Sequence, residues 1–182
     1  MATSIEHRPG MGANRWRLAV WASAACLLLL PLVAMQFDGT GVEWTGSDFA
    51  VMGGMLAAAC GIWELGMWLS RNRAYRAAFA VAAMAAFLMT WINLAVGIIG
   101  NEGNPLNLLF FAVIAVGVVG ALVARFRPLG LAAAMVAMAG AQSMVGVVTW
   151  IVHGKTAALS GVFAAAWLLS AWLFARAART NP

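Results

Sequence analysis

Six runs of about twenty mostly apolar residues divide the chain almost end to end, and no other feature restricts its fold so tightly. They occupy residues 16–36, 49–70, 77–100, 106–124, 129–152 and 157–175, each long enough to cross a hydrocarbon layer as one helix. What remains could not cover a water-facing surface. Of 182 residues, 64% are hydrophobic and 9% charged, against about 45–50% and about 25% in soluble domains. Lipid is therefore the expected solvent, which excludes a soluble enzyme, a coiled coil, a disordered chain and an ordinary nucleic-acid-binding domain. The fold expected is an all-α polytopic membrane protein of six transmembrane helices, with tails at 1–15 and 176–182.

Turn and capping residues stand between the runs: Asp38-Gly39-Thr40-Gly41, Ser47-Asp48, Asn72, Asn104-Pro105, Arg127-Pro128 and His153-Gly154-Lys155-Thr156. The first run, preceded by Arg8, Arg15 and Arg17, could be read as a secretory signal. Its apolar stretch exceeds the 7–15 residues of a signal core, and Leu32 stands where a cleavage site wants a small residue, so a retained helix is expected.

The basic residues give an orientation. Arg8, Arg15, Arg17, Arg71, Arg73, Arg76, Arg125, Arg127, Arg176 and Arg179 all fall on one side of a six-span weave, and Lys155 alone on the other. By the positive-inside rule both termini are expected in the cytoplasm, with the Arg-rich face against anionic lipid. Asp38, Glu43, Asp48 and Glu102 then lie outside. The net charge of +5 reports this topology and implies no nucleic acid.

Arg-x-Arg pairs open spans one, three and five, and aligning 71–100 on 125–154 gives eight identities in thirty. Two readings stay open: three stacked helical hairpins descended from one unit, or Arg placed at every inner loop by the same orienting rule.

The stretch Asn72-Arg73-Ala74-Tyr75-Arg76-Ala77-Ala78, followed by Trp91-Ile92-Asn93-Leu94-Ala95-Val96-Gly97-Ile98-Ile99-Gly100 and Glu102-Gly103-Asn104-Pro105, resembles a signature of functionally uncharacterised small bacterial inner-membrane proteins. The resemblance covers spans two to four and implies a bacterial inner membrane. It implies no catalytic residue.

An ionisable group inside a span is expensive and by default a functional candidate. Glu64 is the one such residue, about 10 Å from the Arg71 boundary at 1.5 Å per residue. It follows Gly53, Ala57 and Gly61 at helical spacing, a small-residue stripe expected to pack helix on helix and to turn Glu64 inward. Beside Trp63, it superficially resembles the single membrane carboxylate of small multidrug efflux proteins, which implies a proton- or cation-binding role. The competing reading is a structural carboxylate paired with an arginine.

Counting from the inner arginines also places Asn93 and Gln142 at one height, about 22–25 Å in. Asn93 shares a face with Ala86, Thr90, Gly97 and Gly100, and Gln142 with Gly146, Thr149 and His153. If the faces meet, they form a polar seam opening toward Glu102 and Asn104, either interhelical glue or a binding site. Cys26 and Cys60, both near mid-membrane, read as packing thiols. No spacing suits a metal, haem, nucleotide or catalytic triad, so no cofactor, metal site or enzymatic activity is expected. The function expected is a non-enzymatic accessory or scaffold protein of the membrane, working with a membrane-protein partner or as a homo-oligomer. The alternative is a small solute or proton-coupled ion transporter using Glu64, with Asn93, Gln142, Thr149 and Glu102 as further candidates.

Overall fold

Helix boundaries in this chain are set by a few polar side chains. The computed structural model describes residues 15–101, 103–152 and 158–180 in full, and the backbone alone of 11–14, 153 and 157. Expectations resting on Glu102, Lys155, the His153 side chain and residues 1–10 lie outside the described residues. The helices are α1 (Met11–Ala34), α2 (Gly46–Leu69), α3 (Arg73–Ala95), α4 (Leu108–Val123, entered through a 3-10 turn at Pro105–Asn107), α5 (Pro128–His153) and α6 (Ala157–Thr180). The chain is all-helical, and six of its helical stretches are long and apolar enough to cross a membrane.

It divides into two compact units, Met1–Cys60 and Gly61–Pro182. In the first, Thr45 starts α2: its Oγ1 and backbone N–H both donate to Asp48 Oδ2 at 2.7 Å, satisfying groups that would otherwise be orphaned at a helix start. The helix therefore begins at Gly46, three residues before the predicted run. Cys26 is exposed, Cys60 is buried, and they form no disulfide.

The second unit is a bundle. Asn72 caps α3 by accepting from the N–H of Ala74 and Tyr75, which moves the helix start to Arg73, ahead of the predicted Ala77. Arg76 donates to the carbonyls of Ser70 and Met67, placing a cation on the C-terminal end of α2. Ser170 donates to the Ala78 carbonyl and Asn72 to Thr180, so α3 and α6 run antiparallel in close contact. A Cβ on Gly120 would stand 2.6 Å from that of Ala134, and one on Gly146 2.8 Å from that of Ser160. Glycine there lets α4 meet α5, and α5 meet α6, at backbone distance. By contrast α3 and α4, though consecutive, meet along only a few residues. Spans three and four, which the stacked-hairpin reading of the Arg-x-Arg spacing would pair, are thus held apart, and α3 finds its main partner in α6.

At the Arg-rich end, Tyr75, Phe79 and Phe174 form a buried aromatic cluster with ring centroids 5.1–5.4 Å apart. The turn between α4 and α5 runs through Arg125 (φ 49°) and Phe126 (φ 58°), left-handed conformations that cost non-glycine residues about 1–3 kcal/mol each. The Tyr75 hydroxyl donates to the Phe126 carbonyl at 2.8 Å and holds this turn against the bundle.

Two expectations about helix faces are overturned. α3 ends at Ala95, five residues short of the predicted Gly100, because Gly97 (φ 69°) and Gly100 (φ 70°) take left-handed backbone that unwinds the helix. Gly97 and Gly100 therefore share no helical face with Asn93. The Gly53/Ala57/Gly61 stripe is not a packed interface along its length either: Ala57 and Gly61 are exposed, and nothing would meet a Cβ on Gly61. The close glycine of α2 is Gly66, whose Cβ would stand 2.6 Å from that of Phe79. At the other end of the chain, α6 runs five residues past the predicted 175, to Thr180.

Candidate functional site

Unwinding α3 after Ala95 sends the chain back over the bundle, and a single asparagine organises the return. Ile98 and Ile99 are buried, and Asn107 fastens them: its Oδ1 accepts from Ile99 N–H at 2.9 Å, and its Nδ2 donates to Ile99 O at 3.4 Å and to Asn101 O at 2.6 Å. Its own carbonyl accepts from Asn93 Nδ2 at 2.9 Å. Asn93 is therefore glue, but its partner is the backbone of the next connection rather than Gln142. Sequence reasoning missed Asn107; the available signal was a second amide three residues after Asn104, too polar for the start of an otherwise apolar span.

Gln142 stands elsewhere. It is fully buried in α5, and neither its Oε1 nor its Nε2 has a hydrogen-bond partner among the described residues. Counting 1.5 Å per residue through the α3–α6 or the α4–α5 contacts puts it about 9–13 Å from the level of Asn93, toward the Arg-rich end. The predicted seam joining the two amides is not formed. Thr149 is buried with its hydroxyl donating to Gly146 O within its own helix. Ser160 Oγ and Trp167 Nε1, both buried on α6, have no hydrogen-bond partner among the described residues either. Glu64 is half-buried on α2.

In this unit lies a cleft of about 190 Å³, open along one side, whose lining includes Phe79, Ala82 and Ala86 of α3, Gly117 of α4, Met135 of α5 and Trp167 of α6. It occupies the space left where α3 and α4 fail to meet. Ile62 and Leu65 of α2 also line it, whereas Glu64 does not, and no titratable side chain does. Its outer rim is formed by Ile62, Val118 and Leu122, all exposed, and its wall includes Trp167, 1% exposed. Among the described residues no three His, Cys, Asp or Glu side chains come together. Chemically the arrangement offers an apolar cleft with no acid, base or nucleophile. The chain matches no family model, no curated protein and no solved structure.

Proposed function

We propose that the chain is a non-enzymatic accessory or scaffold protein of the bacterial inner membrane, with both termini on the cytoplasmic side. One observation carries this reading: the cavity of the bundle is lined by apolar side chains and passes beside Glu64 without including it. A transporter needs a polar midplane site that opens alternately to either side, and an enzyme needs acid, base or metal groups converging on one point. Close helix contacts at Gly120 and Gly146, and apolar outward faces such as Val162, Leu168 and Trp172 on α6, suit a rigid bundle presenting its surface to lipid and to other helices. The ten-to-one distribution of Arg and Lys supports the orientation, and the resemblance of the 72–105 segment supports the membrane.

The test is proton flux in proteoliposomes carrying an entrapped pH dye, run for wild type and Glu64→Gln. Equal flux, at the level of empty vesicles, is expected. Flux above that level that disappears in Glu64→Gln would replace the scaffold reading by proton-coupled transport.

A further inference from the structure

The apolar cleft between α3 and α4 opens at the Arg-rich end of the bundle, beside a strained turn that carries two arginines. We infer that the cleft seats one acyl chain of an anionic phospholipid from the leaflet at that end, with the lipid phosphate held by Arg125 and Arg127. The inference goes beyond the scaffold reading and stands or falls separately from it, since it does not depend on which side of the membrane the Arg-rich end faces.

Depth and shape select the chain. From the Arg-rich ends of α4 and α5 the cleft runs inward to Ile114 and Met138, nine residues from Val123 and ten from Pro128, which is about 14–15 Å at helical rise. One leaflet of a hydrocarbon layer has the same depth, half of about 30 Å. Farther in, the interior is filled: Met89, Phe110 and Val113 are 0–1% exposed, and the bond from Asn93 to the Asn107 carbonyl ties α3 to the head of α4. A chain therefore enters from the Arg-rich leaflet, past the exposed Val118 and Leu122, and not from the opposite one. The volume of about 190 Å³ slightly exceeds the roughly 150 Å³ of an engineered apolar cavity that takes up benzene. A flexible length of hydrocarbon fits that space, whereas a helix of another chain, about 10 Å across, does not.

Charge selects the headgroup. Phe126 lines the cleft, and Arg125 and Arg127, both exposed, flank it in sequence. The turn that sets them there is left-handed at Arg125 and Phe126 and is held by the Tyr75 hydroxyl, a conformation that persists only where its surroundings enforce it. Other arginines of this end are engaged: Arg76 on the Ser70 and Met67 carbonyls, and Arg176 over the Trp172 ring at 5.5 Å. The Arg125 and Arg127 guanidiniums have no such partner among the described residues, and a guanidinium fork matches two phosphate oxygens at once. A tail leaving other tails for this cleft gains little, because the bilayer is equally apolar. Preference among lipids must then come from the headgroup. A zwitterionic one brings its own cation beside the phosphate, which two arginines repel; a net-anionic one does not.

The experiment uses the full chain in mild non-ionic detergent, titrated with dioleoyl phosphatidylglycerol and, separately, with dioleoyl phosphatidylcholine, which has the same chains and a zwitterionic headgroup. Native mass spectrometry reads the first lipid bound. Phosphatidylglycerol is expected to bind about 5- to 25-fold more tightly, at about fivefold for each arginine. The double variant Arg125→Gln, Arg127→Gln should lose that preference, whereas Arg179→Gln, which removes a charge from the same end but from no neighbour of the lining, should keep it. A phosphatidylglycerol with a diazirine halfway along one chain should, on illumination, label α3 between Phe79 and Ala86 and α5 between Leu131 and Met138. Excess glycerol 3-phosphate should not reduce that labelling. Equal binding of the two lipids, an equal loss of preference in Arg179→Gln, or labelling confined to outward positions such as Val162 and Leu168 overturns the inference. So does competition by glycerol 3-phosphate, which would make the arginines a site for free phosphate. A lipid-free dimer that Ala82→Leu disrupts would give the cleft to a second copy and overturn it too. If a variant does not fold, the wild-type ratio of the two lipids and the wild-type labelling pattern decide.

Discussion

Replacing Gln142 by Met should make the protein more stable, an unusual sign for a change at a fully buried position. The side chain is 0% exposed, and neither amide atom has a hydrogen-bond partner among the described residues. An unsatisfied buried amide costs about 1–3 kcal/mol in protein mutational data. Polar pairing in membranes averages lower, because the unfolded chain in the bilayer also finds partners. Met has similar length and flexibility and no polar atom to strand, so a gain of about 1–2 kcal/mol is expected. Asn93→Leu should do the opposite: it removes the 2.9 Å bond to Asn107 O, a loss offset in part because Asn93 Oδ1, buried with no hydrogen-bond partner among the described residues, goes with it, so a net loss of about 1 kcal/mol is expected. The two sites lie about 9–13 Å apart by helical rise, so the double variant should equal the sum within about 0.5 kcal/mol. Reversible unfolding in mixed micelles of mild detergent and dodecyl sulfate, followed by circular dichroism, gives all three values. A Gln142→Met loss above about 1 kcal/mol, or a coupling energy above about 1 kcal/mol, would refute the reasoning and return the two amides to one shared site.

Other outcomes follow from the same geometry. Asn107→Ala strands the buried Ile99 N–H and removes bonds of 2.9 and 2.6 Å, so the same unfolding assay should give a loss of about 2–4 kcal/mol. Tyr75→Phe keeps the aromatic cluster but releases the Phe126 carbonyl; a loss of about 1 kcal/mol is expected, with trypsin cleavage at Arg125 and Arg127 in detergent accelerated. Reporter fusions after Arg73 and Arg127 should read as cytoplasmic and those at Gly41 and Gly103 as external; an external signal after Arg73 would overturn the weave.

The span count was legible because it depends only on length and composition, which the bilayer constrains directly. Asn72 was legible as a helix boundary because capping chemistry is local. Partner choice was not. Counting residues from the inner arginines gives a height but no rotation, and heights carry over between helices only if every span starts level. Asn93 and Gln142 seemed paired on that assumption, yet α3 packs on α6 and α5 stands between α4 and α6, with registers fixed by Gly120, Gly146 and Ser170. The glycine stripe before Glu64 misled for a related reason. Spans that are apolar on every side carry little facial information, so spacing alone could not separate the buried Gly66 from the exposed Gly61. The end of α3 was hidden by two glycines that read equally well as helix packing and as left-handed turns.

The antiparallel pairing of α3 with α6 also has a consequence in time. The bond from Ser170 to the Ala78 carbonyl spans 92 positions of sequence, and the cluster of Tyr75, Phe79 and Phe174 is almost as non-local. At about 5–20 residues per second, α3 enters the bilayer roughly 5–20 s before its main partner is made. During that interval its inner face rests against acyl chains, which must leave when α6 arrives. Assembly of this bundle is thus an exchange of lipid for helix at its final step, and a ribosome stalled after α5 would leave a chain with every loop turned but its central seam still open.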